Sequence, residues 1–274
     1  MPAPSSDTVE VAARRGALVH RAQELVLEHL VPGALGALLS GTSVYPGTPP
    51  ADCDLDIFVV VEDSAYERIP SRKRSLLIAD RDPPRRKTAD IGYVGVAETE
   101  EWVTAKRDAW HWQLQYMAIL HDPQDLMRSL VQRGAALPDG VREERMRVHY
   151  VELAYSAQKA KTRLASGDTA HVPLVVAIGV RAALKLLSVA RGSWAPLTHC
   201  MWDALRDIGV PAAMLDLALR ASRDPAAGLD ELMTATESWL SECGHQFHQN
   251  PFQLKGWLYS AEGRAAQERW AHQM

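Results

Sequence analysis

The sequence predicts an α+β protein in which a small mixed-sheet domain is followed by an all-helical bundle domain. Short apolar runs typical of strands alternate with helical patterns up to Leu137-Pro-Asp-Gly, and only helical periodicity follows. The chain has 274 residues, 47% of them hydrophobic and 23% charged, which is enough for one large or two modest globular domains. We therefore place the first domain at residues 1–138 and the second at 139–274.

The first domain is expected to combine helices and strands. Residues 9–31 have the amphipathic pattern of a helix, which Pro32-Gly33 would end. Apolar and β-branched runs predict strands at Ala34–Ser40, Leu55–Val61, Thr88–Val96 and Gln115–Leu120. Shorter helices are expected at 98–107 and 123–133. The basic segment 68–87 is interpreted as a solvated connection between strands.

The second domain is expected to be a bundle of helices with short connections. The predicted helices are 141–166, 172–191, 197–208, 211–222 and 229–243. The most apolar stretch, Val172 to Val189, is interrupted by Arg181 and Lys185. These charges indicate a core helix rather than a membrane span.

Composition and charge exclude several classes of protein. The formal net charge is −4, whereas a general nucleic-acid-binding domain carries a basic excess. Three scattered cysteines, Cys53, Cys200 and Cys243, do not form a disulfide framework. The first residues lack the basic start and apolar run of a secretory signal. We therefore expect a cytoplasmic protein that neither spans a membrane nor binds nucleic acids in general.

The segment from Leu38 to Val61 carries the clearest chemical signal. A predicted strand ends in Gly41-Thr42-Ser43, and the next strand opens with Asp54-Leu55-Asp56. Side chains alternate along a strand, so Asp54 and Asp56 point to the same face. Neighbouring carboxylates repel each other unless a cation lies between them, and hard oxygen ligands suit Mg²⁺. A glycine turn lets the backbone approach a phosphate, to which Thr42 and Ser43 can donate hydrogen bonds.

These residues resemble the nucleotidyltransferase superfamily of DNA polymerase beta. The minimal motif of that superfamily is a Gly-Ser turn, then Asp-x-Asp, then a third carboxylate on a neighbouring strand. Gly41-Thr42 and Asp54-x-Asp56 match the first two parts, and Asp90 matches the third. The chain departs from the motif in that Thr42 replaces serine and Cys53 precedes the first aspartate. An alternative frame, Asp52-x-Asp54, does not run directly into the strand.

A small catalytic domain followed by helices is similar to the antibiotic nucleotidyltransferases that act on aminoglycosides and lincosamides. The resemblance implies that Asp54, Asp56 and Asp90 bind Mg²⁺ and act in catalysis. It also implies that a nucleoside triphosphate, with ATP expected, donates its nucleoside monophosphate to the hydroxyl of a small molecule. The helical domain would bind that acceptor and supply a basic residue to the triphosphate, with Lys159 or Lys161 as candidates.

Several alternatives remain open at this point. The acceptor could be a protein or RNA, as in toxin-antitoxin nucleotidyltransferases, or the chain could be a non-catalytic nucleotide-binding protein. A homodimer is also left open. The identity of the acceptor and the general base is not specified by the sequence.

Overall fold

The structure is a computed structural model that describes residues 6–80, 86–104, 107–224, 228–245, 256–257 and 259–270. The chain divides into two compact units. The first comprises Met1–Ala105 and Trp110–Ala136, and the second comprises Lys106–Ala109 and Leu137–Met274. The first holds a mixed sheet with helices and the second is helical, so the predicted α+β class is confirmed.

The first unit is built on five strands. The strands are β1 Ala34–Ser40, β2 Leu55–Val61, β3 Ser75–Ala79, β4 Lys87–Gly95 and β5 Ala118–His121. Their order in the sheet is β3-β4-β2-β1-β5, in which β2 and β4 run parallel and the other neighbouring pairs run antiparallel. The helices are α1 Ser6–His29, α2 Asp63–Arg68, α3 Val96–Thr104, α4 Asp108–Tyr116 and α5 Leu126–Ala135.

Both faces of the central strands are covered, which explains why their sequences are apolar almost throughout. On one face, Ile57 and Ile91 pack with Val26 of α1 and Ala65 of α2. On the other face, Leu38 and Val60 pack with apolar side chains of α3, α4 and α5. The central strands are therefore held firmly, and side chains at their ends have fixed positions.

The structure confirms β1 and β2 at the predicted residues and corrects the interpretation of segment 68–87. That segment contains a short 3-10 helix at Ser71–Lys73 and the edge strand β3. The strand escaped prediction because its apolar side chains are largely exposed, Leu77 by 65%, and basic residues flank it. Residues 81–85 of the segment, and residues 105 and 106 of predicted helix 98–107, lie outside the described residues.

The second unit consists of helices. They are α6 Asp139–Ala165, α7 Val172–Ala190, α8 Met201–Asp207, α9 Ala212–Arg223, α10 Gly228–Glu242 and α11 Ala261–Trp270. The five predicted helices are present within a few residues, a 3-10 turn at Thr198–Cys200 precedes α8, and α11 was not predicted.

Helix α7 forms the centre of the second unit. It contacts α6, α9 and α10, and most of its residues are buried. In the described part of the chain it is the one helix long and apolar enough to cross a membrane by length and composition. Its burial among other helices agrees with the predicted core helix.

Candidate functional site

The predicted motif residues lie at one end of the sheet, where three neighbouring strands meet in register. Ser40 on β1 is the partner of Asp56 on β2, and Asp56 is in turn the partner of Asp90 on β4. Gly41 follows β1 directly at this end. The sheet therefore brings together the turn, the Asp-x-Asp pair and the third carboxylate.

The three aspartates surround the ammonium group of Lys87. The Lys87 Nζ atom lies 2.9 Å from Asp54 Oδ2, 3.2 Å from Asp56 Oδ1 and 3.5 Å from Asp90 Oδ2. All four side chains are between one third and two fifths exposed, so the group opens to solvent. The carboxylates thus converge on one point, and a cationic group occupies it. We call these residues the aspartate cluster.

The electrostatics of the aspartate cluster favour a positive charge at its centre. Burial raises the pKa of Asp56, the Lys87 ammonium opposes this, and the charges of Asp54 and Asp90 add to the increase. The hydrogen bond with Asp54 is the main cause that raises the pKa of Lys87 above its ordinary value. Lys87 therefore remains charged and partly offsets the repulsion among the carboxylates.

Gly41 is required at its position for two reasons. Its φ angle is +80°, in the left-handed region where other residues are strained. A Cβ atom at this position would overlap with Asp56 Oδ2, so that one of the two atoms would have to move. The glycine therefore sets the position of the Asp56 carboxylate as well as the shape of the turn.

Replacing Gly41 with alanine is expected to destabilise the protein and to move the Asp56 carboxylate. Gly192 is a matched control, since its φ is +78° but nothing lies within 4 Å of an added Cβ. Gly192→Ala should cost about 1 kcal/mol, the strain of a left-handed alanine. Gly41→Ala should cost more in a urea denaturation experiment. Equal losses in the two variants would contradict the close approach to Asp56.

The two hydroxyl residues of the turn have different surroundings. Thr42 is exposed and its Oγ1 lies 3.2 Å from the Cys53 Sγ. The Ser43 side chain is fully buried, and its hydroxyl donates to the Ser40 carbonyl oxygen at 2.9 Å. Ser43 is 0% exposed as a whole residue, so its hydroxyl and its backbone both face the protein interior, and Thr42 is the exposed hydroxyl residue of the turn.

The proline-rich loop between the turn and β2 is held in place from both sides. Arg15 of α1 donates to the carbonyl oxygens of Tyr45 and Gly47, and Arg14 donates to that of Pro49 at 3.1 Å. The Tyr45 hydroxyl lies 2.7 Å from Ser40 Oγ. The irregular loop seen in the sequence is therefore an anchored connection.

Sequence reasoning missed the contribution of Lys87, which lies three residues before Asp90. Strict alternation along β4 would place these two side chains on opposite faces. However, the pairing of β3 with β4 shifts register between Ile78 and Ala79, so that Ala79 pairs with Lys87 rather than Thr88. Such an irregularity re-aims a side chain, and no pattern in the sequence reveals it.

Two further residues clarify the frame of the motif. Asp52 forms an ion pair with Arg86 at 3.0 Å and does not contact Lys87, so the structure groups Asp54 with Asp56 rather than with Asp52. Ser75 of the unpredicted strand β3 donates to Asp90 Oδ1 at 3.0 Å. Asp90 is thereby oriented from the edge strand.

Comparison with known proteins gives a likeness in structure but none in sequence. No protein-family model and no curated protein matches the chain. The fold is similar to the crystal structure, at 1.90 Å resolution, of a nucleotidyltransferase-like protein from Exiguobacterium sibiricum 255-15. The match covers 82% of this chain and 75% of that chain, with 12% sequence identity and a TM-score of 0.44.

Lys159, the predicted phosphate-binding residue, lies on α6 in the second unit. Its ammonium lies 5.3 Å from the centre of the Tyr155 ring, and the side chain is exposed. Lys161, the alternative, forms an ion pair with Asp230 at 2.8 Å. Of these two lysines, Lys159 is thus the one not held by a carboxylate in the described residues.

A pocket of about 530 Å³ lies elsewhere in the first unit. Ala65, Ile69, Leu76 and Tyr93 contribute to its lining, and none of the three aspartates does. Tyr93 and Asp90 are an odd number of residues apart on β4, so their side chains point to opposite faces. Ser75, which donates to Asp90, also lines the pocket, whereas the three aspartates do not.

The aspartate cluster is arranged around the ammonium group of Lys87. Within the described ranges, no group of three or more His, Cys, Asp or Glu side chains is placed to hold a metal. The donor set nevertheless suits a hard cation, because three carboxylates converge on one position.

Proposed function

We propose that the chain is a Mg²⁺-dependent nucleotidyltransferase that moves a nucleoside monophosphate, with AMP expected, from a triphosphate to a hydroxyl of a small molecule. The observation that carries the proposal is the convergence of Asp54, Asp56 and Asp90 on one cationic position beside the Gly41 turn. Even with the Lys87 ammonium among them, the three carboxylates have a formal charge of −2, which supports the binding of a divalent cation.

Asp54, Asp56 and Asp90 are the residues proposed to hold Mg²⁺. The bound metal would supply positive charge to the triphosphate and to the attacking and leaving oxygens of an in-line displacement. Asp90, which the Ser75 hydroxyl holds in place, would in addition help to remove the proton of the acceptor hydroxyl. Pyrophosphate would be the leaving group.

The turn at the end of β1 is proposed to bind phosphate. Gly41 gives the turn its left-handed conformation, and the Thr42 hydroxyl and backbone amide would donate to phosphate oxygens, while Ser43 would hold the turn through its hydrogen bond to Ser40. We further propose that Lys159 binds the triphosphate and that the helical unit recognises the acceptor. A Lys ammonium serves such a role as a point charge.

The alternatives from the sequence differ in the acceptor. A protein or RNA acceptor would keep the same aspartates and the same nucleotide. The net charge of −4 gives no general attraction to RNA, which favours a small molecule. A non-catalytic nucleotide-binding protein would bind the triphosphate without releasing pyrophosphate.

Pyrophosphate release tests the proposed function directly. The full chain is incubated with Mg²⁺ and each of the common nucleoside triphosphates, together with hydroxyl-bearing small molecules, including aminoglycosides and lincosamides, a protein mixture or RNA. We expect release that requires Mg²⁺ and a small-molecule acceptor and that is greatest with ATP. Release only with protein or RNA would favour the second acceptor class, and binding without release would contradict catalysis.

A further inference from the structure

Lys87 differs from an ordinary surface lysine in the number of carboxylates that it contacts. A typical exposed ion pair joins one base to one acid and stabilises the fold little. The Lys87 Nζ instead lies within 3.5 Å of an oxygen atom of three separate aspartates, of which Asp56 is on β2, Asp90 is on β4 and Asp54 directly precedes β2. With one ammonium among three carboxylates, the group still has a formal charge of −2.

The backbone conformation at Lys87 and the exposure of its side chain both allow the ammonium group to enter and leave the aspartate cluster. The register shift at the start of β4 aims its side chain at the aspartates. The side chain is 39% exposed, so the ammonium can move into water by rotation of its own bonds while β4 stays in place.

A divalent metal and the Lys87 ammonium require the same oxygen atoms at different distances. Mg²⁺ binds oxygen ligands at about 2.1 Å. The Lys87 Nζ lies 2.9–3.5 Å from these oxygens and fills the point where they converge. The two cations therefore exclude each other.

We propose that Lys87 is a tethered cation that occupies the aspartate cluster in the absence of metal and competes with the divalent ion for it. This inference rests on the proposed function only in that the cluster is taken to bind a divalent ion. If the Lys87 ammonium leaves the aspartate cluster free in about one tenth of the molecules, the protein binds the divalent ion about tenfold more weakly than the free cluster would. Lys87 thus sets the concentration of divalent ion at which the site fills.

Binding of Mn²⁺, measured by loss of the free-ion signal in electron paramagnetic resonance, tests the competition without using activity. Lys87→Met removes the ammonium, and Lys73→Met is the matched control, since Lys73 is an exposed lysine of the 3-10 helix in the same unit. We expect Lys87→Met to bind Mn²⁺ about tenfold more tightly than the unmodified protein. Lys73→Met should bind it with unchanged affinity.

The melting temperature in EDTA provides a second readout. Lys87→Met should melt at a lower temperature than the unmodified protein, because three carboxylates then face each other without a counter-charge. Added Mn²⁺ should restore the loss, whereas Lys73→Met should show neither effect. If Lys87→Met does not fold without metal, Lys87→Gln, which keeps a polar side chain of similar length, replaces it in both measurements.

The possible outcomes separate this inference from the proposed function. Equal Mn²⁺ affinity in the unmodified protein and in Lys87→Met, with binding that is lost in Asp56→Asn, would overturn the competition and leave the metal site intact. Absence of Mn²⁺ binding in every variant would overturn the metal site itself, and the competition with it. Tighter binding in Lys87→Met that is absent in Lys73→Met supports the proposal.

Discussion

Replacing Asp56 with asparagine is expected to lower nucleotidyl transfer about a thousandfold, the effect of losing about 4 kcal/mol of transition-state stabilisation from one metal ligand. Asparagine has nearly the same shape but lacks the negative charge that a divalent cation requires. Asp52→Asn is the matched control, because Asp52 is a nearby acid that pairs with Arg86 and not with Lys87. Transfer by Asp52→Asn should be close to normal. Near-normal turnover of Asp56→Asn at saturating Mg²⁺ would contradict the assigned role.

The same variant should keep its stability at neutral pH or gain some. The pKa of Asp56 is raised in the folded protein, chiefly by burial, so the folded state binds its proton more tightly than the unfolded state does. The contribution of Asp56 to the free energy of unfolding therefore falls as the pH rises above its ordinary pKa of 3.8. The asparagine side chain does not titrate, so this decrease should be smaller in the variant, as chemical denaturation at several pH values would show.

Replacing Asp108 with asparagine should cause the largest loss of stability, about 3–5 kcal/mol, because it leaves a buried charge without its partner. In the second unit Asp108 is 2% exposed and Arg145 is 1% exposed. The Arg145 guanidinium donates to both oxygens of Asp108, through Nε at 3.0 Å and through a second, shorter contact. Buried His149 lies beside this pair, with its Nε2 3.6 Å from Asp108 Oδ2.

An exposed ion pair in the same unit provides the control for Asp108. Asp139 contacts Arg142 at 3.0 Å on the surface of α6, so Asp139→Asn should change the free energy of unfolding by no more than about 1 kcal/mol. Similar losses in the two variants, measured by urea denaturation, would contradict the role of burial.

The pH dependence of stability should also differ in Asp108→Asn. Burial raises the pKa of Asp108, but the charge of Arg145 and the hydrogen bonds from His149 and Arg145 outweigh this and hold it well below its usual range. The pair therefore stabilises the fold above the ordinary value of 3.8, and this contribution is lost as the pH falls through the folded-state pKa. The variant should lack this part of the acid destabilisation.

The elements predictable from sequence are those whose own pattern determines them. Strand β2 is β-branched and aromatic, and α7 is apolar over 19 residues, so both were predicted within one residue of their ends. Strand β3 and helix α4 were missed. The sequence of β3 lies within the basic segment 68–87, which was interpreted as a connection. The short helix α4 follows the predicted helix 98–107 without a clear break in the pattern. Their positions depend on pairing and packing with distant parts of the chain.

Some residues of the candidate site could likewise be predicted from the sequence and others could not. Alternation along β2 and the glycine turn predicted that Asp54 and Asp56 share a face near Gly41, and the strand order adds Asp90 to them. Lys87 could not be found from the sequence, because its position depends on an irregularity in the pairing of two strands. The sequence also does not show that a Cβ atom at position 41 would overlap with the Asp56 carboxylate, which is the second reason why glycine is required there.

Isothermal titration with a non-hydrolysable ATP analogue tests most directly whether the aspartate cluster is a metal-dependent nucleotide site. The unmodified protein, Asp54→Asn and the control Asp52→Asn are each titrated in Mg²⁺ and in EDTA. The account predicts one binding site that requires Mg²⁺, is kept in Asp52→Asn and is lost in Asp54→Asn. Nucleotide binding that is the same in EDTA as in Mg²⁺, and that persists in Asp54→Asn, would contradict it.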